Sequence, residues 1–579
     1  MNDNINTPVR VPLPALKPIR ELPLYEDIRA LLSGCAKEYG DEIAFIIKTK
    51  RETSSSPAEY LNKSFIDLKN DVDYLGAAFL KRGFEGKRVA MISKNRYEWV
   101  LPYYAQMGGL GIVVPLDKDL PFNEFSGSIE KARVDVLVFD HDHLPMVEKL
   151  KEDPKYRNIT YITMDSDEGY ERIADLLEEG KNEPELLEKY RSLPVDGKGL
   201  SVILFTSGTS GIAKAVMLSQ YNITHNIWAT LTVEDIRRGD VNMAFLPYHH
   251  TFGSTGQTMM IAAGVRTVFC DGLKYVQKNM AEYKVSMFIC VPLLIEAIYK
   301  KIISEVTKRG KMAKLNKGLK ISRALMKIGI DVRRKIFSEI IDKLGGGLRF
   351  MVSGASPIDP VVAKGFYDFG ITIVQGYGLT ESAPVISAEN SWFYNFRSIG
   401  GTIQGVEAMI ENPDEEGIGE LIARGPNVML GYYENQEATD EMIIDGWLHT
   451  GDLACISEDG KTVLRGRKKN VIVLKNGKNV YPEELELLVG NLQYVKECLV
   501  YGEVKRSDGD QKDLHIAVRV VYDPEEYPDG IEDILNYDID RINSELPSYK
   551  QIFSKYTTTE EMEKTTTGKI KRYKQTMND

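Results

Sequence analysis

The sequence predicts an α/β fold: a large N-terminal domain of layered α/β subdomains with a β-rich subdomain, and a small α+β C-terminal domain. Three observations carry this expectation. Short apolar runs alternate with helical patterns over the first two-thirds of the 579 residues. From about Ile399 to Gly460, short strands and glycine turns replace that alternation. After Gly466-Arg467-Lys468-Lys469-Asn470 the pattern starts again, over a stretch of roughly 110 residues that suits an independent domain.

Taken in order, residues 1–24 are polar and then proline-rich, an extended arm rather than a secretory leader. Segments 89–93, 111–114, 134–139, 201–205, 243–246, 286–290, 348–352 and 371–374 read as buried strands, because short continuous apolar runs suit strands covered on both faces. Stretches 123–132 and 331–344 between them are amphipathic at helical spacing. Ligands on such sheets bind where strands end and loops begin, which singles out Thr206 and Gln375. The large domain spans 25–466, with its β-rich part at about 399–465. Within 471–579 follow a strand at 471–474, a basic turn at 475–480, a proline-started helix at 481–488, and strands around 498–501 and 515–521.

Hydrophobic residues make up 43% of the chain and charged residues 27%, the proportions of a soluble globular protein. No apolar run approaches the ~18 residues of a membrane span. The five cysteines (Cys35, Cys270, Cys290, Cys455, Cys498) are scattered and form no CxxC pair, which fits reduced thiols in a cytosol better than a disulfide framework. A cytoplasmic location is expected. The net charge of −11 argues against general nucleic-acid binding. Segment 300–349 runs against that balance, with fifteen Lys/Arg and four Asp/Glu, and with Leu319, Leu325, Ile328, Val332, Ile336 and Ile340 at helical spacing. It reads either as a long helical insert with a solvated basic face or as a docking surface for phosphates or for anionic lipid, peripheral on the inner face of a membrane.

The densest chemistry lies in TSGTSGIAK at 206–214, directly after the apolar run 201–205. Glycines let a backbone approach an anion closely, free N–H groups there form a concave anion site, and hydroxyls and a lysine add donors and charge. A polyphosphate suits such a loop; an ordinary Ser/Gly loop is the plain alternative. Neither the Walker A spacing nor GxGxxG occurs. Five more segments bear chemistry. GYGLTES (376–382), after a strand, offers Tyr377 to stack on a base and Glu381 to hold Mg²⁺. WLHTGDL (447–453) sets Asp452 in a tight glycine turn, where its carboxylate can accept both hydroxyls of a ribose. GRKKN (466–470) supplies Arg467, KNGKNVYPEELE (475–486) is a basic glycine turn before a helix, and TTTGKIKR (565–572) presents Lys569. Each alone has a plain alternative as a cap, a turn or a solvated lysine. Asp140-His141-Asp142-His143 has the composition of a metal cluster but no partner set at ligand spacing, and reads as structural or solvated. No Ser/His/Asp constellation is identifiable.

Taken together, TSGTSGIAK, LPYHHTFG (246–253), GYGLTE, GELIARGPNVMLGYY (419–433), DGWLHTGD (445–452), GRKKN and TTTGK resemble, in this order and over about residues 25–574, the AMP-forming acyl-CoA synthetases of the adenylate-forming superfamily. LPYHHTFG, the basic insert and KNGKNVYPEELE look most like the long-chain fatty-acid branch.

The resemblance implies ATP and coenzyme A as co-substrates, Mg²⁺ as cofactor and a fatty acid as substrate. It implies two half-reactions: formation of acyl-AMP with release of pyrophosphate, then transfer of the acyl group to the CoA thiol. Thr206, Ser207, Gly208, Thr209, Ser210, Gly211 and Lys214 would cradle the β- and γ-phosphates, and Thr206 with Glu381 would organise the metal. Thr380 would hold the α-phosphate. Tyr377 with Gly354, Ala355 and Ser356 would hold adenine, alongside Gln375, Gly376 and Gly378. Asp452 and Arg467 would bind ribose. Lys569 would bridge carboxylate and α-phosphate from a mobile small domain, turning about a hinge at 467–470 that centres on Lys469. Gly477 and Lys478 would face CoA. His250 would sit beside the acyl carboxylate, with His249 the weaker claimant.

Some positions depart from the family's usual TSGTTGxPKG: Ser210, Ala213 and Ala215 replace Thr, Pro and Gly, and Gln220 stands where many members have His. Two rivals remain: acyl delivery to a carrier protein, and a non-catalytic nucleotide-binding regulator, against which Glu381, Asp452, Arg467 and Lys569 speak. Acyl chain length is not legible from periodicity, and the oligomeric state is open, a homodimer included.

Overall fold

The computed structural model of the chain describes residues 8–52, 56–206, 214–504, 513–525, 527, 529–564 and 570–572. Among those residues, two large sheets organise the first two-thirds. One has eight strands in the order Gly431–Tyr432, Lys214–Ser219, Leu200–Thr206, Ile112–Pro115, Arg88–Ile92, Val136–Phe139, Thr160–Thr163 and Glu171–Arg172. From Leu200–Thr206 outward every pairing is parallel. Parallel sheets are covered on both faces, so their strands must be apolar on both. Val136–Phe139 is buried throughout; Val136 and Val138 enter one core, Leu137 and Phe139 another.

The second sheet has nine strands. It runs from Gly401–Thr402 through Val385–Ala388, Thr372–Gly378, Phe350–Ser353, Met287–Cys290, Val241–Ala244, Arg266–Phe269 and Ile43–Lys50 to Glu59–Ser64. Its central pairings are parallel. One core joins the two sheets, taking Val89 and Val113 from the first and Met287, Phe350 and Val374 from the second. Helices Phe65–Lys81 and Tyr97–Met107 bury their apolar faces in it. The first of these starts on a capping box, in which Ser64 Oγ accepts from Asp67 N at 3.0 Å and Asp67 Oδ2 accepts from Ser64 N at 2.9 Å, an arrangement worth about 1 kcal/mol.

A third, six-stranded sheet is antiparallel and includes Glu407–Glu411, Gly419–Arg424, Trp447–Ile456 and Thr462–Arg467. Arg10–Pro12 of the N-terminal arm forms its edge strand, with Arg10 ion-paired to Glu411 at 2.9 Å and Leu13 and Leu16 buried behind it. Beyond Asn470 come the hairpin Ile472–Val473/Asn479–Val480, helix Pro482–Gly490, helix Ile531–Glu545 and a sheet of Glu497–Val504, Leu514–Val521 and Ile552–Thr558. No helix among the described residues is long and apolar enough to cross a membrane. All five cysteines are free thiols.

Three local expectations need correction. Gly376, Tyr377 and Gly378 do not follow a strand but lie within Thr372–Gly378, because they pair with Ala388, Ser387 and Val385 of the returning strand. Asp452 sits in strand Trp447–Ile456 rather than a tight turn; Gly451, at φ 69°, only irregularises that strand. Segment 331–344 is two short helices, Arg333–Ile336 and Ser338–Lys343, and Gly329 at φ 79° has already broken the preceding helix, so Ile328 and Ile330 point to solvent while Ile340 is buried. The basic face is also partly internal. Arg323 pairs with Asp368, Arg349 with Asp240, and Arg334 donates to the carbonyls of Gly346, Leu348 and Gly370.

Glu389, just past Val385–Ala388, is 1% exposed and ties the second sheet to the loop that follows it. Its carboxylate accepts from Gln375 N (3.2 Å), Asn395 N (3.0 Å) and Ser398 Oγ (2.6 Å). Burial outweighs those donors and pushes its carboxyl up to about 7. A folded-state pKa above the unfolded one adds stability that is full below the ordinary value of about 4.3 and is lost as pH rises through about 7. Urea unfolding at about pH 5 and about pH 8 should therefore show the native chain losing stability across that interval and Glu389→Gln losing much less; equal slopes would refute the assignment.

Candidate active site

Two side-chain clusters form, one between the two large sheets and one between the nine-stranded and the antiparallel sheet. The first hangs on Leu200–Thr206. Thr206 ends that strand and pairs with Lys214, the first residue of the return strand, and its hydroxyl donates to the Lys214 carbonyl at 3.3 Å. The 206–214 loop is thus closed at its base; Ser207, Gly208, Thr209, Ser210 and Gly211 lie outside the described residues. The return strand also pairs with Gly431–Tyr432, which sets the Tyr432 ring 4.7 Å from Lys214 Nζ. Tyr432 Oη donates to Glu381 Oε1 at 2.8 Å. Burial first, then the charge of Glu381, pushes the Tyr432 phenol far up, so it stays a proton donor at physiological pH. Thr206, Lys214, Tyr432 and Glu381 thus form a chain of contacts in which Tyr432, which no sequence pattern singles out, bridges Lys214 and Glu381. An aromatic after Gly431 carries no local mark of bridging.

Glu381 and Thr380 stand on the short turn Thr380–Ser382. Two buried carboxamides hold it: Asn226 Nδ2 donates to Val385 O at 2.7 Å, and Asn427 Nδ2 to Ser382 O at 3.1 Å and Val385 O at 3.0 Å. Neither asparagine is legible as a site residue, because each acts on carbonyls far away in sequence.

The second cluster centres on Asp452. Arg467 stands opposite it in register and ion-pairs at 2.7 Å, Nε to Oδ1. Tyr377 Oη donates to Oδ2, also at 2.7 Å. Tyr377 is buried, and burial followed by the Asp452 charge raises its phenol well above the usual range. Gln375 spends its amide on the protein, accepting from Ile358 N at 3.1 Å and donating to Ser398 O at 3.0 Å. Gly354 is buried, and a Cβ there would lie 2.8 Å from the Phe252 ring and 3.6 Å from Gly376 O; LPYHHTFG, 354–356 and 376–378 thus converge. Ala355 and Ser356 are exposed, and Ala355 holds φ 71°, a conformation uncommon for alanine and of the kind that concentrates at ligand sites.

His250 precedes helix Thr251–Ala262. Its Nε2 lies 3.1 Å from His249 Nε2, which lies 3.3 Å from Asp117 Oδ1. Burial and then His250 push His249 down to about 3, so it is neutral and takes a supporting place between the two. The Asp140–His143 group disperses onto separate partners: His143 onto Asp140 and Lys118 O, His141 onto Asp167, and Asp142 onto Lys94.

Lys469 belongs to the short turn Lys468–Asn470 between the antiparallel sheet and the C-terminal part. Gly477 is exposed at φ 77° on a hairpin turn, and Lys478 Nζ is 5.9 Å from the Tyr549 ring. Lys569 lies outside the described residues, but its flanks are fixed. Lys564 and Ile570 bridge, Ile570 packs on Leu499, Tyr501 and Ala517, and Arg572 donates to Val500 O at 3.1 Å and pairs with Glu486.

Comparison with known proteins bears on the whole arrangement. A family described as AMP-binding enzyme matches residues 33–433, and one described as AMP-binding enzyme C-terminal domain matches residues 469–578. The chain is 28% identical over 460 residues to peroxisomal long chain acyl-CoA synthetase 6 of Arabidopsis thaliana, covering 74% of this chain and 65% of that protein. It is 28% identical over 501 residues to long-chain-fatty-acid–CoA ligase 5 of Rattus norvegicus, covering 80% and 71%. Its fold is similar to that of the anthranilate CoA ligase AuaEII in complex with anthranoyl-AMP, with TM-score 0.74, 21% identity and coverage of 96% and 98%. It is also similar to a Mycobacterium tuberculosis fatty acyl CoA synthetase, with TM-score 0.63, 19% identity and coverage of 96% and 98%.

Two glycines of the same strand separate packing from binding. A Cβ at Gly378 would lie 1.7 Å from Pro384 O, whereas one at Gly376 meets nothing within 4 Å. Gly378→Ala should lower unfolding stability by about 3 kcal/mol. Gly376→Ala should stay within about 1 kcal/mol of the native chain while weakening ATP binding about tenfold by calorimetry. Equal destabilisation by both, or unchanged ATP affinity in the second, would refute the distinction.

Proposed function

The chain belongs to the AMP-binding enzyme family, and from that premise we propose that it activates a fatty acid with ATP and transfers the acyl group to coenzyme A. The observation that carries this reading is the gathering of Thr206, Lys214, Tyr432 and Glu381 on one side and of Tyr377, Asp452 and Arg467 on the other. Such a site offers cations, hydroxyls and fixed carboxylates but no nucleophile of its own, which is what phosphoryl transfer asks of a protein.

In the first half-reaction a carboxylate oxygen of the fatty acid would attack the α-phosphorus, and the bond to the β-phosphate oxygen would break. Lys214 and the 206–214 loop would hold the departing pyrophosphate. Thr206 and Glu381 would offer hard oxygens to Mg²⁺, whose charge would there offset that of the phosphates. Tyr432, by donating to one oxygen of Glu381, fixes the direction of the other. Asp452 and Arg467 would receive the ribose. In the second half-reaction the CoA thiolate would attack the acyl carbonyl and the bond to AMP would break, with Gly477 and Lys478 on the CoA side and Lys569 withdrawn.

A long-chain acid is favoured by the relatives named above, and by the exposed Ile321, Ile328, Ile330 and Ile336 among the lysines of 300–349, a face suited to peripheral contact with anionic lipid.

Lys569→Ala should slow pyrophosphate release by roughly 10²–10³ while largely sparing thioester formation from supplied acyl-AMP; equal loss of both would contradict its role. Gly477→Leu should leave acyl-AMP formation intact and abolish transfer to CoA. Since φ 77° strains any branched residue there, Gly477→Asn, which tolerates that conformation, serves as the control and should retain most of the transfer. Normal transfer in Gly477→Leu would remove the assignment.

A further inference from the structure

Across the nine-stranded sheet from the site just described lies an apolar cavity of about 250 Å³. It opens between helices Val276–Glu282, Pro292–Lys308 and Ser338–Lys343. The separation follows from strand alternation. Met287 and Ile289 face the core shared with Leu246 and Tyr248, while Phe288 and Cys290 face the core that holds Val276, Met280, Ile302 and Ile340 of the cavity wall. No residue assigned above to nucleotide, acyl carboxylate or CoA lines it.

Protein interiors carry few voids larger than a water molecule, because wall atoms facing a void lose their dispersion contacts. An apolar cavity also stays dry and takes up apolar guests; one of ~150 Å³ admits benzene, so this one has room for roughly ten carbon atoms of a single chain. The mouth adds a charge preference. Five cations line it (Lys274, Lys301, Arg309, Lys311, Lys343) against two carboxylates, Glu305 and Glu339. Lys343 is taken by Glu305 and Lys311 by Glu339. Lys301 Nζ instead donates to Gln277 Oε1 at 3.0 Å, and Lys274 lies 5.0 Å over the Tyr275 ring. Among the described residues neither of these two lysines has a carboxylate within ion-pair distance. Leu273, beside Lys274, is 72% exposed at the rim and extends the apolar surface outward.

An apolar slot with two lysines at its mouth that no carboxylate approaches within ion-pair distance matches an amphiphile with one alkyl chain and one anionic end. We propose that this cavity is a second binding site for a fatty acid, separate from the catalytic one, with the chain between the three helices and the carboxylate on Lys301. The site does not depend on the proposed reaction. Its chain would be held by dispersion and desolvation, its head by a surface ion pair, so affinity should come mainly from chain length.

The test is photolabelling of the full chain with a diazirine-bearing dodecanoate, read as the peptides that carry label. Label is expected on 276–282, 292–308 or 338–343. Competition by unlabelled acids from six to about ten carbons should strengthen about fourfold per methylene and then level off as the slot fills. Lys301→Glu, an exposed change that leaves pyrophosphate release at its native rate, should weaken labelling by the acid about tenfold and labelling by a diazirine-bearing dodecanol hardly at all. Ile298→Trp should remove both. Absence of label from these helices in the native chain, or labelling indifferent to both variants, overturns the proposal. Because the readout is the location of label, a failure of the adenylation reading leaves this result intact.

Discussion

The buried carboxylate of Asp452 is the contact on which the rest of the arrangement turns. It receives Tyr377 from the parallel sheet and Arg467 from the last strand of the antiparallel sheet, each at 2.7 Å. A charge at that depth is tolerated only when it is paired and hydrogen-bonded. Removing either partner would leave it undercompensated, so the sheets are held in register by the same group that would receive the ribose. A ligand hydroxyl arriving at Asp452 therefore exchanges with contacts that already exist, and the geometry it meets is set before it arrives. Such preorganisation spares the reorganisation that would otherwise oppose binding at the moment of reaction.

The phosphate side obeys the same rule by a different route. Strand pairing alone brings Lys214 beside Tyr432, since Val216 and Tyr432 are register partners. Tyr432 then fixes Glu381, and Asn226 and Asn427 fix the turn on which Glu381 stands. Each step is a backbone constraint followed by one directed hydrogen bond. The chemistry-bearing groups sit at strand ends, where positions are rigid, with their supports one residue shell behind.

These supports account for what the sequence left unread. Parallel strands such as Val136–Phe139 announce themselves by continuous apolar runs, and loop residues such as Thr206 and Glu381 by composition and order. Tyr432, Asn226, Asn427 and Glu389 act through partners 51, 159, 42 and 14 residues away, and no local pattern encodes a contact made by folding. The errors have the same origin. Tyr377 and Asp452 look like loop residues because glycines flank them, yet cross-strand pairing keeps both within strands. Lys300 to Arg349 looks like one basic face, but Arg349 pairs with buried Asp240 and Arg334 donates to the carbonyls of Leu348 and Gly370, which turns part of it inward.

The described residues that flank segment 565–569 obey the same physics in the C-terminal part. Lys564 and Ile570, on either side of segment 565–569, bridge to each other, and on the C-terminal side Ile570 and Arg572 contact the small sheet. The contacts between this part and the antiparallel sheet are polar and apolar together: Lys468 with Glu420 at 2.8 Å, Arg465 with Glu484 at 3.0 Å, Asn470 with Glu483 at 2.6 Å, and Tyr481 and Val471 packed with Ile418 and Cys455. Ion pairs with one partner as exposed as Lys468 contribute on the order of 1 kcal/mol or less each, so much of the hold at this boundary falls to the small apolar cluster around Tyr481. On the proposed function, a shift of the C-terminal part between half-reactions would leave the Tyr377–Asp452 and Tyr432–Glu381 contacts in place, since neither involves a residue beyond Arg467. Arg467 pairs with Asp452 and directly precedes the short turn Lys468–Asn470, so on the proposed function a nucleotide at Asp452 and the position of the C-terminal part would meet at this one residue.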